Sequence, residues 1–173
     1  MQVNTNAGYI FDQLEALLSG LTNQQYTQLI DILSGATVGK HYRHIIEFFQ
    51  CVAVSEQTET ICYDNRIRDV RIETDLRFAK SLLKELKQDL AILDNEKKLT
   101  LIGDIGTGDN SMNSYIGTTL FREFHYAVEH AIHHMAILKM GISQAFPEVR
   151  ISADFGVAPS TLRFQSSAVA SAK

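Results

Sequence analysis

All six histidines of this 173-residue chain fall in two short stretches: His41 and His44 in one, His125, His130, His133 and His134 in the other. Imidazole is the side chain that titrates near neutral pH and also binds transition metals through a neutral ring nitrogen. His130 and His134 are four residues apart, so on a helix they stack on one face and reach a common ion. A third nitrogen must come from the other stretch, where His41 and His44 are both available. Three neutral imidazoles with an open position suit zinc, nickel or ferrous iron. With an ordinary pKa of about 6.5, such ligands are expected to release metal between about pH 7 and 5.

The bland reading of each residue stands beside the chemical one. A histidine on an apolar helix is more often a hydrogen-bonded core or surface residue, and His41, His125 and His133 are read that way. Periodicity leaves His41 and His44 open as the third ligand: Val38, His41, Ile45, Phe48 and Val52 form one stripe, and His44, Phe48 and Cys51 its neighbour. Cys51 is read as a small buried hydrophobe. A thiolate ligand is its alternative. Tyr63, Asp64, Arg66 and Arg68 read as a salt-bridged loop. In the functional alternative, Arg43, Tyr63 or Arg66 orients an anionic group on a substrate. A di-iron carboxylate centre is disfavoured, because it needs repeated E-x-x-H pairs that this chain lacks.

The elements that must position these residues are mostly helices. Apolar spacing predicts a helix from about Asn6 ended by Gly20, through Ile10, Phe11, Leu14, Leu17 and Leu18. Thr22 caps a short helix reaching Leu33 and ended by Ser34-Gly35. Thr37 caps a helix from Val38 to about Ser55 that carries His41 and His44. Residues 58–71 read as a loop or ragged helix start. A charged, amphipathic helix follows from about Ile72 to Leu93. The period then changes. Lys98 to Ile102 and Ser114 to Thr119 read as two strands of a small β-hairpin around the turn-rich GDIGTGDNSMN. Thr118 or Thr119 caps the last helix, which is expected to stop at Gly141. The tail after Pro147 reads as extended, with about the last eight residues disordered.

This is one domain over residues 1–173, all-α in class: a four-helix up-down bundle with a small β-hairpin inserted before the last helix. Hydrophobic residues are 45%, charged residues 21% and the net charge −4, the balance of an ordinary globular chain. An acidic chain without a clustered basic face argues against nucleic acid as a partner. No run of 18 or more apolar residues exists, so no membrane span is expected. The N-terminus lacks a charged-then-apolar leader, and two cysteines are too few for a disulfide framework, so a cytoplasmic location is expected.

Two segments carry a family resemblance. EHAIHHMA (Glu129–Ala136) resembles the H-x-x-H-H signature of the DinB/YfiT-like superfamily of bacterial metalloproteins, whose first and last histidines bind metal. Here those are His130 and His134. VGKHYRHII (Val38–Ile46) resembles the segment with that family's first metal histidine, which implies His44. The resemblance further implies a right-handed bundle with a crossover connection, often dimeric. It implies kinship with metal-dependent hydrolases and thiol-dependent S-transferases, hence a small-molecule substrate, with a thiol among the candidates. A non-catalytic metal-stabilised bundle acting through a partner surface is the alternative. A fourth protein ligand, such as Cys51 or Glu47, would favour that alternative. The last helix also shows a second apolar stripe (Phe121, Phe124, Val128, Ile132, Met135), from which a homodimer is expected.

Overall fold

A computed structural model describes residues 4–92, 96–104, 106 and 113–171. Its helices are α1 (Asn4–Ser19), α2 (Asn23–Thr27), α3 (Val38–Thr58), α4 (Val70–Thr74), α5 (Leu76–Asp89), α6 (Leu120–Ala145) and α7 (Pro159–Ser171). Its strands are β1 (Thr60–Ile61), β2 (Lys98–Asp104) and β3 (Asn113–Thr119). The chain is thus mostly helical with one small sheet.

The two histidine-bearing helices are the longest, and both begin on a threonine cap. Thr37 is extended and its hydroxyl accepts from the Lys40 N–H; Thr119 does the same for Arg122. Each cap satisfies one of the backbone donors that a helix start leaves orphaned. The apolar stripes then set the packing. Phe11, Leu14 and Leu18 of α1, Ile45, Phe49 and Val52 of α3, Ala79 and Leu83 of α5, and Ala131, Met135 and Leu138 of α6 are all buried. Each such large side chain contributes about 1.5–3 kcal/mol over leaving it in water. Helix α3 packs on α5 and α6, and α1 packs on the same two. The Tyr42 hydroxyl donates to the Leu14 carbonyl at 2.9 Å, tying α3 to α1.

The hairpin forms as expected, with β2 and β3 antiparallel from Lys98↔Thr119 to Asp104↔Asn113. Most of the expected GDIGTGDNSMN turn lies outside the described residues. The short β1 adds a third strand, parallel to β2 through Thr60↔Thr100 and Ile61↔Leu101. A two-residue strand has no period to read, and its partner lies some forty residues away.

Four expectations are corrected. The helix after Thr22 ends at Thr27; Gln28 turns extended, and Ile30 bridges Ala36 around a 3₁₀ turn at Asp31–Leu33. The helix expected over 72–93 starts at Val70 and breaks at Asp75, which is extended and whose carboxylate accepts from the Arg77 and Phe78 N–H groups. A side chain that caps the backbone competes with helix continuation. Helix α6 runs through Gly141 to Ala145, and that glycine is a packing site: a Cβ there would lie 2.7 Å from the Leu33 side chain. The tail is not extended beyond Pro159, which opens α7 to Ser171; proline is tolerated at a first helical position. Of the residues expected to be disordered near the C-terminus, 166–171 belong to α7 and 172–173 lie outside the described residues.

The second stripe of α6 is largely covered by the chain itself. Phe124 and Met135 are buried, Val128 and Ile132 pack against the core, and Phe121 stays exposed. That stripe therefore gives no support to a homodimer. Among the described residues no helix is long and apolar enough to cross a membrane.

Candidate metal centre

Helices α3 and α6 pack side by side and bring the two histidine stretches together. His130 and His134, one turn apart on α6, place their ring centroids 4.7 Å apart. Across the interface His44 faces both, with ring centroids 4.9 Å from His130 and 4.6 Å from His134. The three residues offer ring nitrogens that all lie within 4.8 Å of one another, and all three are half-buried. Nε2 of His44 and Nε2 of His130 lie 2.7 Å apart. A tetrahedral ion with M–N bonds of about 2.0–2.1 Å sets its nitrogens about 3.3 Å apart. The 2.7 Å contact is shorter than that and no separation in the set exceeds 4.8 Å, so the three nitrogens lie on the scale of one coordination shell.

The protonation states suit ligands. Burial lowers the pKa of all three rings. His44 falls to about 4, through burial first and then repulsion from His130, Arg66, His41 and Arg43. His134 falls to about 3, through burial and then repulsion from His44, His130, His41 and His133. Neutral rings at pH 7 carry the lone pair that coordination needs.

These shifts move the expected acid limit downward. Protons compete for an ordinary histidine site between about pH 7 and 5, but here competition begins only as the folded pKa values are approached. Zinc affinity measured by chelator competition is expected to begin its acid fall at a lower pH than that of an ordinary histidine site. The metal-free protein should show the matching stability effect. Its folded rings bind protons less well than the unfolded chain, so the thermal midpoint falls as pH drops below about 6.5. A tenfold affinity loss already at about pH 6 would show that the rings titrate as in water.

The surroundings are aromatic and cationic. The Phe48 ring stacks on His130 at 4.3 Å and 11°, and on Tyr63 at 4.6 Å and 18°. Phe48 lies one turn after His44, so the same helical period supplies both a candidate ligand and the wall against its neighbour. Arg66 sits over the Phe48 ring at 5.7 Å. Its Nε donates to Glu47 at 3.2 Å and its Nη1 to the Tyr63 carbonyl at 2.8 Å. Glu47 is fully buried and also accepts from the Asp69 N–H at 3.0 Å. Arg43 lies 3.6 Å from Glu47 and pairs with Glu73 at 2.7 Å. Burial raises the Glu47 carboxyl, and Arg43, the Asp69 N–H and Arg66 pull it back.

The predicted residues therefore separate. His44, His130 and His134 converge. His41 touches His134 but is not in the converging set. His133 stands edge-on to His134 at 5.5 Å and is exposed, while His125 is exposed and lies 3.8 Å from Glu129. Arg66 meets Tyr63 within the loop through the Tyr63 carbonyl, and both side chains also reach outside it. Tyr63 donates to the buried Glu123 at 2.9 Å and Arg66 to Glu47. Neither Cys51 nor Glu47 joins the histidines as a fourth ligand. Cys51 is half-buried, with burial raising its thiol to about 11, and it lines a cavity of about 640 Å³ with Cys62, Glu47 and Arg66. That cavity includes none of the histidines.

The buried anchors Glu47 and Glu123 were missed by sequence reasoning. Glu47 left no periodic signal, because its helical neighbours Arg43, His44 and Gln50 are polar; only tertiary packing buries it. A carboxylate there needs a cationic partner. No family model, no curated protein and no solved structure matches this chain.

Proposed function

We propose that this chain is a metal-dependent enzyme whose divalent ion is held by His44, His130 and His134, acting as a hydrolase or a thiol-dependent S-transferase. One observation carries the reading: three imidazoles converge with no fourth His, Cys, Asp or Glu among the described residues. A closed set of four marks a structural site, and three with an open position mark a reactive one. The resemblance of Glu129–Ala136 and Val38–Ile46 to the DinB/YfiT-like superfamily supports it. So does the packing of α1, α3, α5 and α6, which fits a four-helix bundle with a site between facing helices.

When bound, a divalent transition metal supplies Lewis acidity at its open position. The chain's own residues do the rest. Neutral imidazoles leave the ion's charge uncompensated, and Glu47 and Glu73 are committed to arginines. The site therefore favours an anionic or readily deprotonated group beside it, a thiol or a water. The charge of Arg66 reaches His44 and His130 and adds to that preference. The rings of Phe48 and Tyr63 screen one side from solvent.

The test uses cobalt(II) as a spectroscopic probe in protein purified without an affinity tag. One ion per chain is expected, with visible bands that shift when azide or a small thiol is added. Bands indifferent to both ligands would indicate a closed site and favour the non-catalytic alternative.

A further inference from the structure

We propose that His41 is a positioning residue for the centre: its Nδ1 accepts a hydrogen bond from Nδ1–H of His134 and so presents Nε2 of His134 to the metal. This rests on the metal reading above.

The Nδ1 atoms of His41 and His134 lie 2.9 Å apart, with ring centroids at 5.2 Å. That is hydrogen-bond distance, so one nitrogen carries the proton and the other offers a lone pair. Two neutral rings can satisfy this in two ways. If His41 donates, His134 carries its own proton on Nε2 and has no lone pair left for an ion. If His134 donates, its Nε2 is bare and free to serve as a ligand. Only the second arrangement is compatible with coordination, and a positioning role for His41 requires it before the ion binds. His41 then carries its own proton on Nε2.

The geometry separates this role from that of a fourth ligand. His41 belongs to α3 as His44 does, but it is absent from the set of nitrogens within 4.8 Å of one another. It meets His134 at Nδ1, which leaves the Nε2 of that ring for the ion. Metal-bound histidines usually donate their second N–H to a carboxylate or a backbone carbonyl. A neutral imidazole in that place adds no negative charge. His134 is thereby oriented without being made more electron-rich, in keeping with a centre that also lacks a carboxylate ligand.

Two measurements test the proposal. In the metal-free protein, nitrogen-15 NMR of the ring protons should show His134 protonated on Nδ1, the tautomer that free imidazole side chains disfavour in water. His41→Ala should release that preference and lower zinc affinity about 10–100-fold, the usual effect of losing an outer-shell partner. His41→Asn, whose side-chain oxygen falls near the place of Nδ1, should restore most of the affinity. His125→Ala serves as the unaffected control. An Nε2-protonated His134 in the metal-free protein overturns the proposal. So does a zinc centre in which X-ray absorption counts four imidazoles in the wild type and three in His41→Asn. A wild type that binds no zinc removes the metal reading instead, and the tautomer measurement still judges the His41 contact separately.

Discussion

Replacing His134 with alanine is expected to lower zinc affinity at pH 7.5 by more than about 100-fold, beyond the effect of any outer-shell change. His44→Ala should match it. Each removes one of three nitrogens that converge within 4.8 Å, and the set has no spare ligand to substitute. His125→Ala should bind zinc as the wild type does, because His125 is exposed and its near neighbour is Glu129, not the cluster. His133→Ala should fall close to His125→Ala, since His133 meets His134 edge-on and holds no place in the converging set. Competition against a chromophoric chelator gives the affinities. Circular dichroism of the metal-free variants shows that each has kept its fold. Loss of zinc by His125→Ala with retention by His134→Ala would move the site elsewhere on α6.

A second large effect is expected far from the histidine rings, in the contact that seats α4 on α3. Gly39 lies at the start of α3, and a Cβ built there would lie 2.0 Å from the Glu73 carbonyl oxygen. The obstacle is backbone, so no rotamer change relieves it. Gly39→Ala must push α4 outward, disturbing the Tyr26 hydroxyl bond to the Ile72 carbonyl and the Arg43–Glu73 ion pair. The cost is expected at about 3 kcal/mol, the upper end for overpacking a core. Gly8→Ala makes the opposite comparison. Gly8 lies inside α1, and a Cβ there would meet nothing within 4 Å. Alanine should stabilise that helix by about 0.5–1 kcal/mol. Urea unfolding of the two variants reads both signs. A Gly39→Ala protein as stable as the wild type would show that α4 is not held against α3 as described.

Gly39 carries no local mark of its packing role. From sequence it is one more glycine near a helix start, like the Gly141 that was expected to end α6. Both are places where two elements approach too closely for a Cβ, one against the Glu73 backbone and one against Leu33. A glycine that ends a helix and a glycine that admits a neighbour look alike until the neighbour is placed. Asp75 and Pro159 misled for a related reason. Asp75 lies inside an amphipathic pattern that runs on past it, yet its carboxylate caps α5. Pro159 lies in a tail that reads as extended but stands at the first position of α7.

What the sequence determined by itself is what depends on near neighbours. The caps at Thr22, Thr37 and Thr119 are local hydrogen bonds, legible from residue type and from the apolar period that follows. The stacking of His130 over His134 follows from the helical repeat alone. The hairpin of β2 and β3 follows from alternation around a turn. Tertiary structure alone decided everything that joins distant segments. It placed β1 beside β2 and buried Glu47 against Arg66. It brought both His41 and His44 to α6, in different positions: His44 with its Nε2 2.7 Å from that of His130, and His41 on the Nδ1 of His134. Periodicity left those two histidines open because they lie three residues apart on adjoining stripes of one helix. Only the rotation of α3 against α6, set by the packing of Ile45, Phe49 and Met135 in the core, determines which ring nitrogen enters the cluster and which meets Nδ1 of His134.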